Sequence, residues 1–103
     1  MTAPLPVIIT PKAADDLKAS WVWLRNRNPR AADEWLMGIR DTILGLGAMP
    51  EAHPTAPETT DFKLPVRRAL YGRSTQWRIY FAVIDGVVQV LHVRHGRRSD
   101  WQP

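Results

Sequence analysis

Residues 77–95 read WRIYFAVIDGVVQVLHVRH, two runs of β-branched and aromatic side chains on either side of an Asp-Gly pair. Asp85-Gly86 suits a two-residue hairpin turn with positive φ, so the runs predict antiparallel strands at residues 76–84 and 87–95. A third strand-like run lies upstream, at residues 62–71. This part of the sequence therefore predicts a three-stranded antiparallel meander.

Alternation along these strands predicts a sheet with two different faces. The apolar face, expected to be buried, carries Leu70, Trp77, Ile79, Phe81, Leu91 and Val93. The opposite face is expected to carry Arg67, Arg73, Arg78, His92 and Arg94. His95 is expected at the strand end beside Gly96, on the other side of the strand from His92. A basic face of this kind suits phosphate or acidic partners.

Two amphipathic helices are predicted before the meander. Thr10-Pro11 and Asn28-Pro29 each place a capping side chain ahead of a proline, which is the usual start of a helix. Apolar residues then recur at helical spacing, to about residue 27 in the first helix and residue 46 in the second. Asp16 is expected near the positive end of the first helix dipole. The short connection between the helices favours an antiparallel hairpin.

Together these elements predict an α+β fold in a single domain that spans residues 1–103. A short strand at residues 5–10 comes first, then the helical hairpin, then the meander, with both helices packed on the apolar face of the sheet. The proline-rich residues 49–60 predict an exposed, mobile loop without regular structure. With 45% hydrophobic residues, the chain can build one core.

The positive charge of the chain is concentrated in the sheet half. Residues 1–60 carry six basic and seven acidic side chains, whereas residues 61–103 carry eight basic and three acidic ones. Seven of those eight cations are Arg, which binds phosphate and carboxylate through two parallel hydrogen bonds. Nucleic acid and an acidic protein segment are both candidate partners.

Several classes of protein are excluded or disfavoured by what the sequence lacks. Cysteine is absent, which excludes disulfides and thiolate metal sites. No apolar run approaches the roughly 20 residues that span a bilayer, so we expect a soluble, cytoplasmic protein without membrane association. No His, Asp and Glu spacing suggests a metal site, and phosphate-loop and dinucleotide-binding motifs are missing. No cofactor is expected.

The sheet half, together with the order of the elements, resembles the RelE/ParE superfamily of bacterial toxins. The most specific parts are the aromatic-Arg-Ile-Tyr-Phe strand at residues 77–81, the Asp-Gly hairpin and the closing His-Gly-Arg-Arg at residues 95–98. The resemblance implies the toxin of a type II toxin-antitoxin module, a growth inhibitor associated with plasmid stabilisation and neutralised by a cognate antitoxin. Self-association stays open.

The superfamily contains two target classes, and only one of them is enzymatic. RelE-like members are ribosome-dependent mRNA endoribonucleases, or mRNA interferases, whereas ParE-like members poison DNA gyrase. RelE-like proteins often carry several Lys on the second strand and a Tyr close to the C-terminus, where this sequence has only Lys63 and Trp101. The long helical hairpin also resembles ParE-like members. A gyrase poison is favoured, and the alternatives are an mRNA endoribonuclease or an inactive relative that retains only antitoxin binding.

Candidate site residues follow from these alternatives. A nuclease needs a base, a proton donor and cations that stabilise the charge on phosphorus. The candidate base is His92 or His95, the candidate proton donor is Tyr71 or Tyr80, and the candidate cations are Arg73, Arg78 and Arg98. Arg73, Arg98 and His95 also match functional positions of RelE-like enzymes by the resemblance. The candidate surface for the target, whether nucleic acid or gyrase, comprises Arg67, Tyr71, Arg73, Arg78, Tyr80, Arg94, Arg97, Arg98 and Trp101. Trp23 lies off the apolar stripe of its helix and is a candidate antitoxin contact, whereas Trp21 and Trp35 lie on the stripes and are expected to pack internally.

Overall fold

A computed structural model describes residues 3–56, 63–72 and 76–96 of the chain. Its elements are β1 (Val7–Ile9), α1 (Pro11–Arg25), α2 (Pro29–Leu44), β2 (Arg67–Tyr71), β3 (Trp77–Ile84) and β4 (Val87–His95), with single 3₁₀ turns at Gly45–Gly47 and Pro50–Ala52. Both helices pack their apolar stripes on one face of a four-stranded sheet. The predicted α+β fold is confirmed. None of the described helices is long and apolar enough to cross a bilayer.

The strands follow the order β1-β4-β3-β2 across the sheet. β2, β3 and β4 form the predicted antiparallel meander, and Asp85 and Gly86 adopt φ values of 52° and 75° in its hairpin turn. β1 pairs in parallel with β4, with Val7 opposite Val88. The sheet is therefore mixed. Parallel pairing of β1 with β4 requires a crossover connection, and the two helices lie within it.

Thr10 joins the end of β1 to the start of α1. Its backbone N–H and its Oγ1 both donate to the carbonyl oxygen of Val90, at 3.1 and 2.7 Å. The same Oγ1 accepts from the N–H of Ala13 at 3.3 Å and so caps the helix. One hydroxyl therefore fixes the direction in which α1 leaves the sheet.

We expect Thr10→Ala to lower the free energy of unfolding by about 1–2 kcal/mol, because it removes the helix cap and a hydrogen bond to β4. Urea denaturation monitored by circular dichroism measures the change. Thr10→Ser keeps the hydroxyl and should lie close to the wild type. Thr55→Ala removes an exposed hydroxyl elsewhere. If Thr10→Ala is no less stable than Thr55→Ala, the capping role is wrong.

The core lies between the helices and the sheet. Its buried members are Ala13, Leu17, Ile39, Ile43 and Leu46 from the helical side, and Ala69, Trp77, Ile79, Phe81, Val88, Val90 and Val93 from the strands. Trp35 packs its ring against Trp77 with 4.8 Å between centroids, so the predicted internal role of Trp35 is confirmed.

Some predicted boundaries differ from the structure. α1 ends at Arg25 and α2 at Leu44, where a 3₁₀ turn replaces the last predicted helical residues. Residues 49–56 are not a featureless exposed loop, because Pro50 and Ala56 are buried and the Ala56 N–H donates to the Val66 carbonyl at 2.8 Å. β2 begins at Arg67 rather than at residue 62, and residues 57–62 lie outside the described part of the chain.

Candidate functional site

A β-bulge at Leu91 changes which side chains of β4 share a face. Tyr80 pairs with His92, whereas the next residue of β3 pairs with Val90, which leaves Leu91 as the extra residue. Val90 and Val93 are both buried under the helices, so the alternation shifts by one residue at the bulge. Leu91 packs with Tyr80 on the opposite side. Its predicted place on the helix-covered face was therefore wrong.

The face of the sheet turned away from the helices, here called the outer face, carries most of the predicted cluster. Cross-strand pairing of Arg78 with Leu70 and Arg94, and of Tyr80 with Arg68 and His92, puts these six residues on it. The shared placement of Arg78, His92 and Arg94 is confirmed. Leu70 was expected on the other face but is 43% exposed on this one. Sequence reasoning did not single out Arg68, because it placed Leu70, which shares a face of β2 with Arg68, on the buried side of the sheet.

Arg67 lies on the helix side of the sheet and not on the outer face. It pairs in register with Phe81, and its Nη1 donates to the carbonyl oxygen of His53 at 2.6 Å. The His53 ring in turn meets the Phe81 ring edge-on, with 5.6 Å between centroids. The predicted face of Arg67 was wrong because the strand register, and not the count of basic residues, decides which way a side chain projects.

The outer face is more deeply buried than a free basic surface would be. Tyr80 is 0% and Arg94 2% exposed, and Ala56 and Val66 pack with Tyr80 over the sheet. The expectation that Tyr80 and Arg94 face water was wrong. In the described part of the chain, Arg68 and Arg78 are the outer-face arginines that remain partly exposed.

Tyr71, another candidate for target binding, also faces the helices. It pairs with Trp77 and packs against α2 at Gly38, where a Cβ would overlap with the Tyr71 hydroxyl. Gly38 is thus the position that admits the tyrosine ring beside the helix backbone. This contact gives Tyr71 a packing role.

Asp16 of α1 occupies the edge of β4 beyond the end of β1. Its Oδ2 accepts from the N–H of Val93 at 3.1 Å and lies 2.5 Å from Nδ1 of His92, while Lys12 binds its Oδ1. The His92 ring stacks on Tyr80 with 5.8 Å between centroids. A side-chain carboxylate therefore replaces the missing strand partner and fixes the histidine.

Burial of Asp16 would raise the pKa of its carboxyl group, but the hydrogen bonds from His92, Lys12 and the Val93 N–H outweigh it. The pKa of Asp16 is therefore below its ordinary value, and the group is a carboxylate at neutral pH. Because a carboxylate only accepts, Nδ1 of His92 carries a proton in this contact. Sequence reasoning missed this role, since it assigned Asp16 to the helix dipole.

His95 and His92 project from opposite faces of β4, as predicted. His95 pairs with Trp77 on the helix side, its ring meets the Trp77 ring edge-on at 5.1 Å, and its Nε2 lies 3.3 Å from Oε1 of Gln76. The two histidines therefore do not share a site. The remaining candidates, Arg73, Arg97, Arg98 and Trp101, lie outside the described residues. Within the described residues, no three His, Asp or Glu side chains are grouped so that they could hold a metal ion.

A second candidate site lies on the helical side of the molecule. An apolar groove of about 410 Å³ is lined by Ile9, Ala14, Leu17, Lys18, Trp21 and Leu36. Trp21 forms part of its wall and donates from Nε1 to Oδ1 of Asp33 at 3.0 Å. Trp23 does not line the groove, since residues two apart on a helix do not share a face. It is 47% exposed and has the Arg27 guanidinium 3.9 Å from its ring centroid. The exposure predicted for Trp23 is confirmed, but no pattern in the sequence indicates the groove.

The family of the chain follows from its sequence match. Residues 7–100 match the family described as "ParE toxin of type II toxin-antitoxin system, parDE". The chain belongs to the ParE toxin family. The predicted RelE/ParE membership is confirmed for nearly the whole length. No curated protein matches the sequence.

Solved structures of two toxin-antitoxin systems share the fold of this chain. This ParE-family chain is similar to the chromosomal ParDE toxin-antitoxin system from P. aeruginosa, at 22% identity and a TM-score of 0.72, over 88% of this chain and 95% of that chain. It is also similar to the RelBE2 toxin-antitoxin complex from Mycobacterium tuberculosis, at 20% identity and a TM-score of 0.59, over 90% and 99% of the two chains. At these identities the two likenesses establish the fold.

Proposed function

We propose that this ParE-family toxin arrests growth by binding DNA gyrase in the cytoplasm, without catalytic chemistry of its own, and that a cognate antitoxin neutralises it. The observation that carries the gyrase assignment is the state of the proton-transfer groups. Tyr80 is buried, Tyr71 packs on Gly38, and His92 is held by Asp16. All three side chains are held by contacts within the protein, which supports a toxin without proton-transfer chemistry.

Cleavage of RNA would require acid and base side chains that can approach the substrate, whereas these side chains are held within the protein. A base must approach the attacking 2′-hydroxyl within hydrogen-bond distance, and an acid must reach the leaving oxygen. His92 and His95 point to opposite faces of β4, so they cannot divide these two tasks at one phosphate. A role in binding requires only a surface, which agrees better with the described residues.

The helical side is the proposed site of the antitoxin. The groove between β1 and the helices offers apolar surface, and Trp23 offers a separate exposed aromatic side chain on another face of α1. Exposed Trp residues are frequent anchors of protein interfaces. Solved relatives include a toxin-antitoxin complex, which supports an antitoxin as the partner.

Expression of the toxin without its antitoxin is expected to stop growth, induce the DNA-damage response and leave translated mRNA intact. The purified toxin should inhibit gyrase supercoiling of plasmid DNA in vitro. Co-expression of the antitoxin from the neighbouring reading frame is the control and should restore growth. Arrest with codon-specific mRNA cuts and an undamaged chromosome would contradict the proposal.

The mRNA endoribonuclease is the second candidate, and one observation favours it. Arg78 pairs directly with Arg94, and Tyr80 pairs with His92, so two cations and an imidazole share the outer face. For a nuclease, His92→Ala would abolish mRNA cleavage while the folded protein still binds its antitoxin. Normal growth with soluble, folded toxin would instead indicate an inactive relative.

A further inference from the structure

A stripe of α1 runs along the groove and carries a cation on each side of Trp21. Ala14, Lys18 and Trp21 line the groove, and Arg25 follows Trp21 at a spacing of four residues, with its guanidinium 5.1 Å from the Trp21 ring centroid. Residues spaced by three and four lie on the same helix face. Lys18, Trp21 and Arg25 therefore lie in a line along one face of α1, with a cation at each end and the Trp21 ring between them. These three residues are here called the rim.

The two cations of the rim form no ion pair within the described part of the chain. Among the described residues, α1 and α2 pair Lys12 with Asp16 and Arg30 with Glu34, but neither Lys18 nor Arg25 has a carboxylate partner. Asp33 is close, and its Oδ1 accepts the indole N–H of Trp21. The rim thus offers two cations beside the apolar groove, and the carboxylate of Asp33 meets the rim at Trp21.

We propose that the groove takes an amphipathic, acidic segment of the antitoxin, and that Lys18 and Arg25 select it by pairing with its carboxylates. The inference rests on the proposed antitoxin partner and names the chemistry that distinguishes one antitoxin from another. The apolar lining would accept many amphipathic segments. Rim charges discriminate among them, because a partner with a cation in the same place is repelled.

The spacing of the two cations specifies the partner further. Lys18 and Arg25 are seven residues apart, which is about 10.5 Å along a helix at 1.5 Å per residue. A helical segment that lies along α1 therefore presents acidic residues seven positions apart. An extended segment matches this spacing less well, because its side chains on one face are two or four positions apart, which is about 6.8 or 13.6 Å at 3.4 Å per residue. In the helical segment, an apolar side chain between the acids contacts Trp21.

The experiment is charge reversal, Lys18→Glu and Arg25→Glu, singly and together, with binding measured against the full-length antitoxin encoded beside the toxin. We expect a loss of affinity of about fivefold for each change and about 25-fold for both, mainly in the association rate and smaller at 0.5 M salt. Lys63→Glu is the matched control, since Lys63 is exposed and does not line the groove. Circular dichroism verifies that each variant is folded.

A charge swap tests the pairing directly. Changing the matching Asp or Glu of the antitoxin to Lys should restore most of the affinity for the Lys18→Glu/Arg25→Glu toxin. Equal binding of wild type and the double variant would overturn the rim inference while the antitoxin assignment stands. A wild-type toxin that does not bind the antitoxin at all would overturn both. A groove filled by a second copy of the chain, detected by sedimentation as a dimer that the double variant abolishes, would also overturn the inference.

Discussion

Gly38→Ala is expected to lower the free energy of unfolding by about 3 kcal/mol, although alanine in place of glycine usually stabilises a helix by about 1 kcal/mol. The sign is reversed because the new Cβ would overlap with the Tyr71 hydroxyl and lie 2.8 Å from its Cζ atom. To admit the methyl group, either the Tyr71 ring or α2 must move within a packed core. Urea denaturation measures the loss.

Two further variants isolate the cause. Gly45→Ala is the matched control, because Gly45 follows α2 directly and has nothing within 4 Å of its added Cβ; it should be neutral or slightly stabilising. Gly38→Ala combined with Tyr71→Phe removes the hydroxyl and should recover part of the loss, so the two changes should not be additive. Equal stability of Gly38→Ala and Gly45→Ala would show that Tyr71 does not pack as described.

Local signals in the sequence predicted the elements of the fold well. Thr10 and Asn28 cap the two helices through side-chain oxygens that accept from the N–H groups three residues ahead. Asp85-Gly86 forms the predicted turn with positive φ. Each of these features depends on residues that are neighbours in the chain, so the residue types alone are sufficient to indicate them.

The faces of the sheet were predicted less well, for a physical reason. Strict alternation assigns Leu91 and Val93 to one face, but the bulge inserts Leu91 as an extra residue and reverses the pattern after Val90. The bulge lets Leu91 join Tyr80 and Val66 in a small apolar cluster outside the main core. That contact joins distant segments, and no local pattern in β4 indicates it.

For the candidate site, the sequence predicted which residues share a face of the sheet, but it did not predict how exposed that face is. Alternation correctly grouped Arg78, His92 and Arg94, yet it did not indicate their burial or the contacts that occupy them. Asp16 is separated from His92 by 76 positions, so the contact that fixes the imidazole depends on where α1 crosses the sheet edge. The groove also depends on the packing of α1 beside α2 and β1, which a single sequence does not give.

Asp16→Ala is expected to lower the free energy of unfolding at neutral pH by about 3 kcal/mol, because it leaves the Val93 N–H and the His92 ring without their acceptor. The side chain of Asp16 is only 11% exposed, so water replaces the carboxylate poorly. Asp15→Ala is the matched control. Asp15 is the neighbouring residue and is exposed, so its replacement should change the free energy of unfolding little. Equal losses for the two variants would contradict the edge-capping role.

The pH dependence of stability gives the second test of Asp16. Its pKa is lower in the folded state than in the unfolded chain, so the unfolded chain binds more protons as the pH falls. The contribution of Asp16 is therefore complete above the unfolded pKa, near about 4, and is lost as the pH falls through the lower folded pKa. Denaturation of wild type and Asp16→Asn from pH 7 to pH 2 should show a stability difference that is constant above about pH 5 and shrinks in acid. A difference that grows in acid would mean that the folded protein favours the protonated carboxyl group, contrary to the hydrogen bonds seen here.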